Sequence, residues 1–112
     1  MVIQQGSIVL VDFDPSLGNE QKGKRPALVI SKSSFQEFTN GLLIALPITS
    51  KDSKGFPLHV ALDKRTKTQG EIMIEQPKTL DSKIRKITML ESLPEDILKS
   101  VLNKFEMIFN YK

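Results

Sequence analysis

The amino-acid sequence predicts a mainly β protein: a small antiparallel sheet, closed or nearly closed, followed by a C-terminal α-helix. Five short segments alternate apolar and polar residues or form apolar runs of strand length, and turn residues separate them. The last segment instead follows the spacing of an amphipathic helix. At 112 residues the chain fits a single domain, residues 1–112, with one core.

The five predicted strands are identified by their apolar patterns. In the first, Val9 and Val11 fall on one face and Ile8 and Leu10 on the other. The fourth has apolar residues at every second position, which leaves His59 on its less apolar face. The predicted strands span residues 8–13, 27–31, 42–48, 56–62 and 71–75.

The C-terminal segment has helical periodicity. Its apolar positions recur at helical spacing and predict one buried stripe, formed by Ile97, Leu98, Val101, Leu102, Phe105, Ile108 and Phe109. Pro94 suits the first turn, and the acidic Glu95 and Asp96 favour the positive end of the helix dipole. We expect this helix to cover the sheet, and the alternative is that its apolar stripe forms a partner surface. A shorter helix is predicted to begin near Ser34.

The composition limits the function classes. The net charge is +3, and basic residues gather in three places: residues 22–25, 64–67 and 83–86. Such clusters are either solvated faces or a phosphate-facing surface. The absence of cysteine excludes thiolate chemistry, and no apolar run approaches membrane-spanning length. These features predict a cytoplasmic protein that does not enter a membrane.

The residue types present limit the catalytic mechanisms that this chain could use. There is one histidine, no glycine-rich phosphate loop, and no grouping of His, Cys or carboxylates with metal-ligand spacing. We therefore expect neither a metal nor another cofactor. His59 alone is interpreted as a surface strand residue. Catalysis would use Arg, Lys, Ser, Thr, Asp or Glu.

Such groups lie near the ends of three predicted strands. Each place has an ordinary structural explanation, because Ser and Thr favour turns and Arg25 could pair with Glu20. Arg25 is unusual in one respect: the following Pro26 restricts its backbone to extended conformations and so helps to hold a positive charge in place. The three places carry Glu20 with Arg25, Thr49 with Ser50, and Glu75 with Gln76.

Three stretches taken together, "DFDPSLGNEQKGKRPALVIS", "LPITS" and "IEQPKTLD", resemble the MazF/PemK family of bacterial toxins. The resemblance extends from about Gly6 to the end of the last helix. It implies an SH3-like antiparallel β-barrel with a C-terminal α-helix, which forms homodimers. It also implies a metal-independent endoribonuclease that cuts single-stranded RNA at short sequences, leaves a cyclic phosphate, and is silenced by a small antitoxin.

The resemblance also assigns roles to residues. Arg25 would stabilise the phosphorane, Thr49 would hold the scissile phosphate with Ser50 in support, and Glu75 would act as the general base. Asn19, Glu20 and Gln76 would read base edges, and Lys24 would contribute a basic group to substrate binding. These eight residues are the predicted site.

The general acid stays open. Some relatives have an arginine two residues before their acidic position, where this chain has Met73, and one has a histidine where this chain has Asn19. Arg25 or Lys24 could fill the role. Two other functions also stay open. One is a gyrase poison on the same fold, which the absence of Trp disfavours. The other is a nucleic-acid-binding module without catalysis.

Overall fold

The computed structural model describes residues 2–13 and 23–111, and this part of the chain folds into seven strands and two helices. In chain order the elements are β1 (Ser7–Asp12), β2 (Lys24–Val29), α1 (Ser33–Phe38), β3 (Leu42–Thr49), β4 (His59–Ala61), β5 (Glu71–Met73), β6 (Lys78–Asp81), β7 (Ile87–Ser92) and α2 (Glu95–Met107). Neither helix is long and apolar enough to cross a membrane, as judged over the described residues.

All strand pairs are antiparallel, and the strands follow the order β4-β5-β3-β2-β1-β7 with β6 also paired to β3. β3 is the longest strand and changes partner along one edge. Its first half pairs with β6 up to Ala45, and its end pairs with β5 from Ile48. Pro47 lies at this change of partner, where a missing backbone N–H is tolerated best.

The sheet has a buried core on each face. One core contains Ile8, Leu28 and Leu46, and it is completed by residues of β5 and α2. The other contains Val9, Val29 and Ala45 with neighbours from β6. Successive side chains of a strand point to opposite faces, so β1, β2 and β3 contribute to both cores. This two-sided burial explains why they appear in the sequence as nearly continuous apolar runs.

The C-terminal helix covers the first core, as expected. Ile97 and Val101 of α2 are buried, and Leu98, Leu102 and Phe105 pack against the same cluster. The apolar stripe continues past the covered part, however, because Met107, Ile108 and Phe109 are exposed. The shorter helix near Ser34 is also present, although its Phe38 is 90% exposed and contributes no core contact.

The fold class is the predicted one, and three details differ. The fourth predicted strand, residues 56–62, is shorter in the structure: β4 is His59–Ala61, and Phe56 is exposed. Within the described residues the sheet is not closed, because β4 and β7 at its two ends do not pair with each other. β6 and β7 were not predicted. Only Leu80 of β6 is buried, and β7 has three exposed residues in succession, Thr88 to Leu90, so neither strand shows a regular alternation.

Candidate active site

One polar pocket of about 550 Å³ is lined by residues from the start of β2, from the end of β3 and the turn after it, from β4, and from Met73 onward at the end of β5. The antiparallel pairing brings the start of β2 beside the end of β3, and it places the start of β5 on the other side of β3. The pocket is lined by Arg25, Thr49, Lys51, Asp52, Ser53, His59, Met73, Glu75 and Gln76.

Arg25 enters this pocket from β2. It is paired with Val11 of β1 and has the extended backbone expected of a residue before proline. Its Nε is buried and has no hydrogen-bond partner within the described part of the chain. A buried donor without an acceptor is destabilising, and such groups are rare in folded proteins. An anionic ligand in the pocket would supply the acceptor that this Nε does not have in the described structure.

Thr49 is the last residue of β3 and is 9% exposed. Its Oγ1 accepts a hydrogen bond of 3.2 Å from the backbone N–H of Lys51, which closes the turn after the strand. Gly70 lies directly against the Thr49 backbone: a Cβ at position 70 would clash with the Thr49 carbonyl oxygen. Gly70 also has a φ of +125°, so both its conformation and its surroundings require glycine.

His59 forms the centre of a charged cluster on β4, β5 and the turn after β5. It pairs with Met73, so Glu71 and Glu75, two residues to either side of Met73, fall on the same face of the sheet. His59 Nδ1 lies 2.8 Å from Glu71 Oε1, and Nε2 lies 3.0 Å from Glu75 Oε2. The histidine side chain is 11% exposed.

The two carboxylates decide the charge of this histidine. Burial lowers the pKa of His59, but hydrogen bonds and charge attraction from Glu75 and Glu71 outweigh the burial and raise the pKa above 6.5. The pKa of Glu71 is lowered, first by hydrogen bonding to Ser53 and then by His59. The cluster therefore favours a protonated imidazole between two carboxyl groups.

Four of the eight predicted residues line the pocket: Arg25, Thr49, Glu75 and Gln76. Lys24 and Ser50 are exposed and are not among the lining residues. Asn19 and Glu20 lie outside the described residues. The interpretation of His59 as a surface strand residue needs correction: His59 belongs to β4, but its side chain is only 11% exposed, lines the pocket and lies between two glutamates.

The sequence contained one usable signal for His59. In "EIMIE" both glutamates fall on the face opposite Ile72 and Ile74, and His59 falls on the polar face of its own segment. The sequence did not show the pairing register of β4 and β5, which places His59 between the two glutamates. Lys51, Asp52 and Ser53 also line the pocket, and they come from the turn that follows Thr49.

The fold and the pocket define a class of protein that is already represented among solved structures. MazF from Deinococcus radiodurans superimposes with a TM-score of 0.88 at 33% identity, and the match covers 97% of each chain. A MazE–MazF complex from the same organism matches with a TM-score of 0.85 at 32% identity, over 100% of this chain and 99% of the other. The class is thus that of the MazF toxins.

Sequence comparison specifies the family. The model of the PemK-like, MazF-like toxins of type II toxin-antitoxin systems matches residues 4–109, and the chain belongs to this family. Endoribonuclease PemK of Escherichia coli is 36% identical over 111 residues, which cover 95% of this chain and 81% of PemK. Endoribonuclease toxin MazF of Escherichia coli K12 is 31% identical over 107 residues, which cover 96% of this chain and 94% of MazF. The predicted family and enzyme class are confirmed.

Proposed function

We propose that this endoribonuclease toxin cleaves single-stranded RNA at short sequences, without a metal, and leaves a 2′,3′-cyclic phosphate and a 5′-hydroxyl. The observation that carries the proposal is the buried Nε of Arg25, which has no hydrogen-bond partner among the described residues, in a pocket that also contains Thr49 and Glu75. The pocket thus combines a cationic donor for a phosphate, a hydroxyl and a carboxylate. We place this activity in the cytoplasm, where it would inhibit translation and growth.

The chemistry begins with attack of the RNA's own 2′-OH on the adjacent phosphorus. Glu75 accepts the proton of that hydroxyl, which requires its carboxylate to reach the 2′-OH in the complex. Arg25 stabilises the anionic phosphorane, because a guanidinium presents a fork of donors that matches phosphate oxygens. Thr49 holds the scissile phosphate through its hydroxyl, and Ser50 assists from the exposed turn.

The same region would bind the RNA strand. Gln76 lines the pocket next to Glu75 and can form hydrogen bonds to a base edge, as Asn19 and Glu20 are expected to do. Lys24 is exposed at the start of β2, one residue before Arg25, and would contact the phosphate backbone. Lys51 adds a second basic group at the pocket.

Two protein partners are proposed: a second copy of the chain and a cognate antitoxin whose acidic segment would occupy the basic groove. The MazE–MazF complexes of the Deinococcus radiodurans relative support the antitoxin. Exposed apolar side chains could be buried at such interfaces: Met89 and Leu90 on β7, and Met107, Ile108 and Phe109 at the end of α2. Measuring the molar mass in solution tests both partners. The mass of the toxin alone shows whether it is a dimer, and the mass of its mixture with the antitoxin shows whether the two bind.

The function is tested by cleavage of a long, mixed-sequence RNA in EDTA, with the wild type beside Arg25→Ala and the fragment ends mapped. We expect discrete cuts at one short motif, with 5′-hydroxyl ends, and we expect the variant to lack them. A strict Mg²⁺ requirement would overturn the mechanism. No cuts by a folded wild type would favour gyrase binding or nucleic-acid binding without catalysis. A melting curve must show that Arg25→Ala remains folded.

A further inference from the structure

We propose that Glu91 is a positioning residue for the cleavage reaction: it fixes the loop between β4 and β5, and this loop sets the position of Thr49. The inference rests on the proposed function, because the position of Thr49 matters only if its hydroxyl holds the scissile phosphate. Glu91 lies on β7 and is not among the residues that line the pocket. Its effect on the reaction therefore has to pass through other residues.

A β-bulge in β7 lies next to Glu91. Ile8 of β1 pairs with Glu91, whereas Val9 pairs with Met89, so Leu90 is the extra residue of β7. A bulge changes the direction in which the neighbouring side chains point. Glu91 is partly buried, although the three residues before it are exposed. Its carboxylate is directed at the loop between β4 and β5.

The Glu91 carboxylate accepts three hydrogen bonds from this loop. Oε1 accepts from the backbone N–H of Lys67 at 3.1 Å, and Oε2 accepts from the backbone N–H of Thr68 at 2.7 Å and from its Oγ1 at 2.8 Å. These bonds hold the pKa of Glu91 below its ordinary value, with the Thr68 N–H as the largest cause. Through Glu91, β7 at one end of the sheet is connected to the β4–β5 hairpin at the other end.

The loop itself is cross-linked by hydrogen bonds. Thr66 is 4% exposed, and its Oγ1 donates to the Thr68 carbonyl at 2.7 Å. The Gln69 side chain donates to the Thr66 carbonyl at 2.9 Å, and the Leu62 N–H donates to the Gly70 carbonyl at 2.9 Å. Because these bonds connect its residues to one another, we expect a displacement at Thr68 to be transmitted to Gly70.

The end of the loop meets the pocket at Thr49. Gly70 lies directly against the Thr49 carbonyl, where no side chain fits, and the next residue, Glu71, pairs with Thr49 in the ladder between β3 and β5. The backbone that carries the Thr49 hydroxyl is thus packed against the loop that Glu91 holds. A misplacement of about 1 Å at a reacting group can cost about 100-fold in rate.

A second connection of the same loop provides a matched control. Arg65 lies in this loop and binds Asp96 of α2, with side chains that are 47% and 69% exposed. An exposed ion pair of this kind contributes little to the rigidity of a loop. The bonds to Glu91 instead reach the loop backbone two and three residues before Gly70. Arg65→Ala should therefore leave the cleavage rate nearly unchanged.

The test is a double-mutant cycle of Glu91→Gln and Thr49→Val, measured as single-turnover cleavage of one RNA by folded samples. Glu91→Gln keeps the size of the side chain and replaces one acceptor oxygen by an amide donor, so at least one bond to the loop is lost. We expect this change alone to slow cleavage about tenfold. In the Thr49→Val background it should cause no further loss, because the hydroxyl that it positions is already absent.

The outcomes separate this inference from the proposed function. Two losses that multiply in the double variant would show that Glu91 acts independently of Thr49 and would overturn the inference. A full cleavage rate in Glu91→Gln, or in Thr49→Val, would also overturn it. These three results leave the endoribonuclease activity intact. Failure of the wild type to cut RNA at all would overturn the proposed function and this inference with it.

If Glu91→Gln does not fold, Thr68→Val decides, because it removes only the hydroxyl donor to Glu91 and keeps the backbone N–H. We expect it to slow cleavage about two- to tenfold, and again not in the Thr49→Val background. The NMR signal of the Thr49 amide should move in Thr68→Val and stay in place in Arg65→Ala. A full rate in Thr68→Val, or slower cleavage with an unmoved Thr49 signal, would overturn the inference.

Discussion

Two charged clusters in this molecule use similar groups in opposite ways. The surface cluster consists of Asp63, Arg65 and Asp96. Arg65 forms bonds of 2.9 and 3.0 Å to the two oxygens of Asp96, and it also donates to Asp63. The pocket cluster consists of Arg25, His59, Glu71 and Glu75. There the arginine retains a buried Nε without a partner in the described chain.

The difference distinguishes a structural arginine from one that is available to a ligand. Each of the three guanidinium nitrogens of Arg65 donates to a carboxylate, and these bonds connect the loop after β4 to the first turn of α2. Its partners hold the pKa of Arg65 above its ordinary value, Asp96 more strongly than Asp63. The Nε of Arg25 has no such partner among residues 2–13 and 23–111, so a bound anionic ligand could complete its hydrogen bonds. Five predictions test this comparison.

The largest expected effect is on catalysis at the two arginines. Arg25→Ala should reduce the cleavage rate on the order of 100- to 1000-fold, because one preorganised donor to the developing charge is lost. The matched control, Arg65→Ala, should cleave at nearly the wild-type rate. Single-turnover cleavage of one RNA by folded samples measures both. Equal losses at the two positions would remove the distinction between the clusters.

The next effect concerns the hydroxyl of Thr49. Thr49→Val keeps the branched shape but loses Oγ1, which now accepts from the Lys51 backbone. We expect a loss of at least about tenfold in cleavage, corresponding to about 1.4 kcal/mol, for a missing hydrogen bond to the phosphate. Thr49→Ser retains the hydroxyl and should recover most of the rate. A Ser variant as slow as the Val variant would assign the effect to packing.

The clusters should also respond to pH in opposite directions. The raised pKa of His59 means that its stabilisation is complete below about pH 6.5 and is lost as the pH rises through the folded-state value. The stability difference between the wild type and His59→Gln, from denaturant unfolding, should therefore shrink between about pH 6 and about pH 9. A constant stability difference across this pH range would contradict the ion pairs of His59 with Glu71 and Glu75.

In the surface cluster the carboxylates titrate. Hydrogen bonds from Arg65 lower the pKa of Asp63 and of Asp96, so their stabilisation is present at neutral pH. It is lost as the pH falls through the folded-state values, below about pH 4. The stability difference between the wild type and Arg65→Ala should follow this acid dependence. A stability difference that instead disappears at alkaline pH would show that the carboxylates of Asp63 and Asp96 do not cause it.

The smallest effect is the salt dependence of the surface cluster. Exposed ion pairs contribute little to stability and are screened by salt. Asp96→Asn should therefore lower the melting temperature only slightly, and the change should vanish at high ionic strength. Melting curves at low and high salt measure this. A large loss in melting temperature that salt does not alter would contradict this expectation. It would mean that the pair of Asp96 with Arg65 stabilises α2 more than an exposed ion pair normally does.

The sequence was sufficient for most of the fold because buried strands carry strong apolar patterns. β1, β2 and β3 contribute to two cores, and α2 has a clear apolar stripe. β6 and β7 were missed because their exposed residues leave no alternation. For the candidate site, the motifs singled out Arg25, Thr49 and Glu75, and these three residues line one pocket. The contacts of His59 with Glu71 and Glu75 were missed because they depend on the pairing of His59 with Met73. Strand propensity predicts that a strand forms but does not specify its pairing register.

Gly70 shows how a residue without any functional group can govern such a site. It occupies the space directly against the Thr49 carbonyl, where no side chain fits. A gene copy that acquired alanine at this codon would encode every polar residue of the pocket and still have a displaced Thr49. Such a copy would look intact by motif inspection, and growth arrest on expression, or its absence, would be needed to distinguish a decayed toxin gene from a working one.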